Sequence, residues 1–449
     1  MSQIREPNHD PFRFSQQGSL FLWALLKGAL IVLVIGSVSL ILYSAFSSPY
    51  GFYGVPQCDT ITISQGTDNQ NDRTNITHLV FGIGGSVDTW KQRQHYVELW
   101  WKPGVTRGFA WLDKEPTETS ATSAPVRVSG STDSKPSVRI AQIVLESYKL
   151  GLRNVRWFVM GDDDTVFFTH NLVSVLARYD HNQMYYIGGG SESVEQDVMH
   201  SYDMAYGGGG FAISFGLAKE LIKLLEGCLE RYYNMYGSDE KISACVSEIG
   251  VPVTRESGFH QLDLKGDAYG LLAAHPLAPL VSLHHVDAMS PLFPNQNQSD
   301  SLRTLFEPYQ LDPSRILQQS FCYDHKVSRS LSISWGYTAQ IYPRLVPAKE
   351  LTIPLRTFST WRSGSDGPFT FNTRPIESDP CARPMIYFLD RAWQNGNGET
   401  VTSYRLHVTE PTNHCGRKGD DPASVQRVKA YASKMDPQTW NKASPLHIN

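Results

Sequence analysis

The sequence predicts an α/β protein with a mainly parallel sheet and helices on both faces, an N-terminal transmembrane helix and a smaller β-rich C-terminal extension. Three observations predict it. Between residues 75 and 320, apolar β-prone runs alternate with helical segments, as parallel strands joined by crossover helices require. The run Trp157-Phe158-Val159-Met160 is apolar at consecutive positions, as suits a strand buried on both faces. That run passes Gly161 and ends in Asp162, Asp163 and Asp164, and open α/β sheets bind ligands at the carboxyl ends of their strands.

Composition sets the outer bounds. With 449 residues, 41% hydrophobic and 19% charged, the chain has enough material for a sizeable core and two domains. A formal net charge of -4 leaves no basic footprint, which argues against nucleic acid as the main partner. From Leu20 to Phe46 the only charge is Lys27, and this is enough chain to cross a bilayer core, which takes about 20 helical residues. The stretch is too long for the apolar region of a signal peptide. Arg5, Arg13 and Lys27 lie on its amino-terminal side and no charge follows until Asp59, which predicts a cytoplasmic amino terminus and a single-pass type II protein. Residues 1–19 are then a cytoplasmic tail, 20–46 the anchor and 47–74 a polar stalk.

Two further signals agree with a lumenal body. Asn75-Ile76-Thr77 and Asn297-Gln298-Ser299 fit the glycosylation acceptor pattern. Six cysteines form an even set that would tend to pair in an oxidising compartment. Cys228 with Cys245 and Cys381 with Cys415 are the candidate local pairings, with Cys58 and Cys322 pairing by default, and spacing alone does not fix the connectivity.

Taken in order, Thr77 to Ser86 reads as a strand running into a glycine turn, with a helix from Val87 to Trp100. This is a nucleotide-binding opening in which Gly84 and Arg93 are candidate donor contacts, although a simple tight turn accounts for the same glycines. Arg107 to Leu112 is a second strand, Glu115 to Lys135 a loop, and Ser137 to Leu150 a helix leading into the central strand. Three adjacent carboxylates repel one another, so the triplet suggests a divalent cation that neutralises them, held there for a diphosphate. Helix capping is the plainer alternative, since Thr165 to Tyr179 reads as a helix, but a cap needs one Asp. A strand follows at Met184 to Ile187.

Gly207, Gly208, Gly209 and Gly210 then precede a short apolar run and a helix from about Leu217. Four consecutive glycines are costly in entropy, which points either to backbone lying against a sugar or phosphate or to a hinge. Gly237 to Lys241 opens another helix, with Ser238 as its cap, and Asp239 and Glu240 are either solvated first-turn carboxylates or functional acids. His284 and His285 end a β-like segment, and His284 could supply the imidazole of a carboxylate–histidine site suited to manganese. Trp90, Trp100 and Trp101 offer stacking surfaces, or pack in the core. From Phe321 the signals change to short strands, a β-rich module with a polar tail.

The motif order Trp-Phe-Val-Met-Gly-Asp-Asp-Asp, Tyr-Gly-Gly-Gly-Gly-Phe, Gly-Ser-Asp-Glu and Val-Ser-Leu-His-His resembles the Fringe-related proteins of glycosyltransferase family 31, especially their plant branch. The resemblance spans roughly Thr77 to Pro294. It implies a GT-A-type, Rossmann-like nucleotide-sugar-binding domain over residues 75–320, with residues 321–449 as an extension. It also implies a Golgi type II hexosyltransferase that takes a UDP-sugar and, with Mn2+, inverts the anomeric centre to form a β1,3-linkage to a glycan or glycoconjugate hydroxyl. By position, Asp162 and Asp164 with His284 resemble the metal ligands, Asp164 foremost. Asp162, Asp163 and Gly207 to Gly210 fall beside the donor, and Asp239 or Glu240 falls where the family carries its general base. A one-residue shift against Fringe itself leaves those two acids as alternatives. A membrane-anchored carbohydrate-binding or scaffold protein without catalysis is the rival reading. A metal-dependent phosphoesterase would need a two-metal set of ligands that the sequence does not supply.

Overall fold

The structure is a computed structural model that describes Trp23 and residues 26–39, 73–130, 139–407, 424–437 and 447–448. The chain divides into two compact units, Met1–Asn69 and Gln70–Asn449. In the first, residues 26–39 are helical. Among the described residues no helix is long and apolar enough to cross a membrane, and much of the expected anchor, 20–46, lies outside them.

The second unit is mixed α/β. Its first sheet contains β1 (Leu79–Gly84), β2 (Gly108–Leu112), β3 (Val126–Val128), β4 (Trp157–Asp162), β6 (Tyr186–Gly188), β7 (Phe211–Ser214) and β8 (Val253–Arg255), in the order β3-β2-β1-β4-β7-β6-β8. The pairs β1/β2, β2/β3, β1/β4 and β6/β8 are parallel. Strand β7 runs antiparallel to both neighbours, so the sheet is parallel only in part. Side chains alternate across it as strand geometry requires. Leu79, Phe81, Ile83, Trp157 and Val159 enter one buried cluster, and Val80, Phe158 and Met160 the other. The helices Arg139–Lys149, Phe215–Arg231 and Ser238–Glu248 contribute to the second cluster, and Val87–Glu98 and Thr169–Leu176 to the first.

Several sequence expectations are corrected. The segment after the acidic triplet does not enter a helix at Thr165, because Val166–Phe167 form β5 and the helix starts at Thr169. Strand β5 joins β9 (Phe259–His260) and β11 (Ser282–Leu283) in a small sheet of order β5-β11-β9. Part of the expected loop from Glu115 is β3, an edge strand. Ser238 is the first residue of its helix and not its cap; Gly237 is the N-cap, and Glu240 Oε2 accepts its N–H at 3.1 Å. Of the two readings of Trp90, Trp100 and Trp101, core packing holds: they are 2%, 2% and 5% exposed.

The β-rich carboxyl-terminal region forms a second sheet of order β18-β17-β16-β14-β13-β12-β19. Its strands are β12 (Gln319–Asp324), β13 (Arg329–Ser334), β14 (Thr338–Tyr342), β16 (Met385–Gln394), β17 (Thr400–His407), β18 (Arg427–Ala432) and β19 (His447–Ile448), while β10 (Leu264–Gly266) pairs with β15 (Phe358–Thr360). Ile333, Tyr337, Tyr387 and Tyr404 share a buried cluster with Leu79 and Trp157, so the region shares its core with the first sheet. Cys228 and Cys245 form a disulfide that joins two helices of the second cluster. Cys381 is disulfide-bonded, and its expected partner Cys415 lies outside the described residues. Cys322 carries a free thiol, contrary to the pairing expected with Cys58, which is also outside them. Asn75 and Asn297 of the two acceptor patterns are exposed.

Candidate functional site

Strands β1 and β4 end side by side, with Gly84 in register with Asp162. The chain beyond β4 turns tightly: Thr165 N–H donates to the Asp162 carbonyl at 3.0 Å, and Asp162 N–H donates to Thr165 Oγ1 at 2.8 Å. Thr165 Oγ1 in turn donates to the Gly208 carbonyl at 2.7 Å, which ties the acidic turn to the glycine segment. Trp100 Nε1 donates to the Thr165 carbonyl at 3.1 Å, so one of the core tryptophans also anchors the turn. Strand β11 then delivers His284 beside Asp164, because Leu283 pairs with Val166 and with His260.

The convergence lines a cavity of about 840 Å³ that contains Gly84, Arg93, Asp162, Asp163, Asp164, Gly207, Gly208, Asp239, His284 and His285. His284 Nε2 lies 3.1 Å from Asp164 Oδ1 and 3.9 Å from Asp162 Oδ2. Arg93 Nη1 is 3.1 Å from Asp164 and 3.4 Å from Asp163, and its Nη2 is 2.9 Å from Asp287. Gly209 and Gly210 stand behind the lining: Gly209 N–H donates to Gln261 Oε1 at 2.5 Å, and Gly210 adopts φ +83°. Asp239 and Glu240 part company. Asp239 faces the cavity, its two oxygens accepting the N–H groups of Gly207 and Glu240 at 3.0 Å each. Glu240 points instead to His200, with which it is hydrogen-bonded, and to the N–H of Gly237.

Electrostatics divide the carboxylates. Burial pushes Asp162 up to about 7, reinforced by Asp164 and Asp163 and opposed by His284. Burial also raises Asp163. For Asp164 burial acts in the same sense, but the charges of His284 and Arg93 outweigh it and hold the carboxyl well below its ordinary range. Burial lowers His284, and the Asp164 charge more than offsets it and raises the imidazole to about 9. Asp239 is raised by burial, with the two N–H donors opposing.

The residues fit a divalent cation. Both Asp164 oxygens and Asp163 Oδ2 are buried without a well-formed hydrogen bond, and their charge is met by the Arg93 and His284 contacts, which a cation held there would supplement or replace. Ligand atoms of Asp164, His284 and His285 lie within 4.8 Å of one another. Asp162 stands at the edge of that group. The mixed oxygen and nitrogen set suits manganese or a similar metal. His285, which the sequence offered as the neighbour of His284 and not as a ligand of its own, joins the candidate ligands. Its Nδ1 is 3.0 Å from Asp263 Oδ1, and its ring stacks on Trp361 at 4.6 Å between centroids with 3° between planes. Gln261, Thr89, Arg139 and the Tyr233–Tyr236 segment also line the cavity and carried no motif.

The fold and site define a mixed α/β protein with an acidic, histidine-bearing cavity at the ends of its parallel strands. The family described as "Protein of unknown function, DUF604" matches residues 196–448, more than half of the 449 residues, and the chain belongs to that family. The match includes the glycine segment, Asp239 and His284 and begins after Asp162–Asp164. No curated protein matches the sequence.

Proposed function

We propose that the protein is a Mn2+-dependent, inverting glycosyltransferase of GT-A type related to Fringe, which transfers a sugar from a UDP-sugar to a glycan or glycoconjugate hydroxyl with a β1,3-linkage. We place it in the Golgi membrane as a single-pass type II protein with a lumenal catalytic domain. The observation that carries this reading is the meeting of Asp162–Asp164, His284, the glycine segment and Asp239 in one cavity at the ends of β1 and β4.

Asp164 and His284 would hold the cation, with Asp162 and His285 at its flanks. A bound divalent cation supplies neutralisation of charge on a departing diphosphate. Asp239 is the general base. Its raised proton affinity suits removal of a proton from the acceptor hydroxyl as that oxygen attacks the anomeric carbon from the face opposite UDP, and this single displacement inverts the centre. Glu240 is committed to His200 and serves the helix end. Gly84, Gly207 and Gly208 present backbone to the donor. Arg93 holds the acidic turn through Asp163 and Asp164 and balances part of its charge.

One observation favours the second reading, a carbohydrate-binding or scaffold protein without turnover: the Arg93 guanidinium contacts Asp163 and Asp164 where a cation would be held. The deciding experiment is UDP release by the full-length protein in detergent, over a panel of UDP-sugars and glycan acceptors, with and without Mn2+. Acceptor-stimulated release that needs Mn2+ and is lost in Asp164→Ala supports transfer. Donor binding without release on every acceptor supports the second reading.

A further inference from the structure

The two histidines of the cavity are oriented by the segment 260–263, which makes no ligand contact in the chemistry proposed above. The Gln261 carbonyl lies 3.3 Å from His284 Nδ1, which leaves Nε2 aimed at Asp164, and Asp263 Oδ1 lies 3.0 Å from His285 Nδ1. Between them, Leu262 is fully buried and adopts φ +51°, a left-handed conformation unusual for a leucine. Such a conformation persists where its surroundings over-determine it.

The surroundings in question are a turn on the far side of the strap. Glu192 Oε2 accepts the Leu262 N–H at 2.7 Å, and Ser191 Oγ donates to Asp263 Oδ2 at 2.8 Å. Glu192 Oε1 lies 2.8 Å from His260 Nδ1, and His260 Nε2 lies 2.9 Å from His275 Nε2. His275 Nδ1 donates to the Pro276 carbonyl at 2.7 Å, so its Nε2 accepts and His260 Nε2–H donates. Donation therefore runs from His260 through His275 to the Pro276 carbonyl, and the contact between His260 Nδ1 and Glu192 Oε1 is a hydrogen bond when a further proton sits on that nitrogen or on the carboxyl. Ser191, Glu192, His260, Asp263 and His275 are 4%, 7%, 4%, 0% and 4% exposed, so water competes little for these bonds. The turn is braced in its own right by the carboxyl-terminal region: Thr370 N–H donates to the Glu192 carbonyl at 3.1 Å and Thr370 Oγ1 to the Ser191 carbonyl at 2.9 Å.

We infer that Ser191 and Glu192 are positioning residues for the cation site, acting through the strap 260–263 on the ring orientation of His284 and His285. This rests on the reading of the cavity as a divalent-cation site. Loss of a group that orients a metal-bound imidazole typically costs about 10- to 100-fold in metal affinity.

The test is direct Mn2+ titration of the full-length protein in detergent, followed by electron paramagnetic resonance, with thermal unfolding measured alongside. Glu192→Ala lowers Mn2+ affinity by about 10- to 100-fold. Glu192→Gln restores it to near wild type, because its amide oxygen can accept from Leu262 while its N–H donates to His260 Nδ1. Ser191→Ala removes the bond to Asp263 and the one that its Oγ accepts from the Ser193 N–H at 3.1 Å, and it lowers Mn2+ affinity with little change in the melting temperature. Should Glu192→Ala not fold, Ser191→Ala decides. Wild-type affinity in either alanine variant overturns the inference, as does a Gln variant as weak as Ala. A wild-type protein that binds no Mn2+ removes the cation-site reading itself, and this inference falls with it.

Discussion

Gly208→Ala is the substitution with the sharpest expected consequence, because it tests whether the glycine segment and the histidine belong to one site. A Cβ at Gly208 would meet the Cε1, Nε2 and Nδ1 atoms of the His284 ring, well inside van der Waals contact. The ring is 3% exposed, is packed on His285 at 3.7 Å between centroids, and is bonded at Nδ1 to Gln261. Its packing on His285 and the bond at Nδ1 resist a retreat. Relief needs a displacement of roughly 1 Å, and an error of that size in a reacting site costs about 100-fold in rate, or about 2.7 kcal/mol. The fold should survive, since overpacking of this kind typically costs about 1–3 kcal/mol. Gly209→Ala is the control: its Cβ would lie 3.1 Å from Gln261 N, a tight contact that a small backbone shift relieves. The assay is Mn2+ affinity and Mn2+-dependent UDP release for both variants, with thermal melts. Wild-type affinity and turnover in Gly208→Ala, or greater damage in Gly209→Ala, would show that the glycine segment and His284 do not form one site.

Three further outcomes follow from the geometry. Asp239→Asn should lower kcat by about 100- to 10,000-fold with donor affinity retained, whereas Glu240→Gln should leave kcat close to wild type; the reverse order would reassign the base. Because burial raises the Asp239 carboxyl from its ordinary value of 3.8, the acid limb of the kcat profile should lie above that pH and disappear in Asp239→Asn. Asp267 is also raised above 3.8 by burial, with the Tyr269 N–H as the opposing influence, so its ionised form works against folding above that pH. Asp267→Asn should then raise the melting temperature at pH 7, by an amount that shrinks as pH falls through 3.8, and a lower melting temperature at pH 7 would contradict this.

The parts of the fold that were legible in the sequence are those with a local signal. Strands β1 and β4 announce themselves as apolar runs, and the acidic triplet, the glycine segment and His284 are visible as unusual neighbours in the chain. The antiparallel course of β7 was not legible, because a short apolar strand buried in a sheet reads the same in either direction. Strands β5, β9 and β11 are two residues each, too short for any period to show, yet their pairing is what brings His284 to Asp164. Local signals likewise left Asp239 and Glu240 equivalent. They separate through partners far along the chain, the Gly207 N–H for Asp239 and His200 for Glu240.

The same limit explains why the carboxyl-terminal region looked detached from the chemistry. Nothing near Trp361 or Thr370 in sequence resembles a site, but Trp361 stacks on His285 and Thr370 braces the turn that holds the histidine strap. Glu195 adds a further tie, since its carboxylate accepts the backbone N–H of Arg362 at 3.0 Å and of Ser363 at 3.2 Å. These contacts join residues more than 70 positions apart, and each is made by an ordinary side chain with no motif of its own. A region that shares the core of the first sheet and also touches the second layer of the cavity cannot be removed without disturbing both. The cavity is thus a product of the whole second unit, although the groups that give it chemical character sit in four short stretches of the chain.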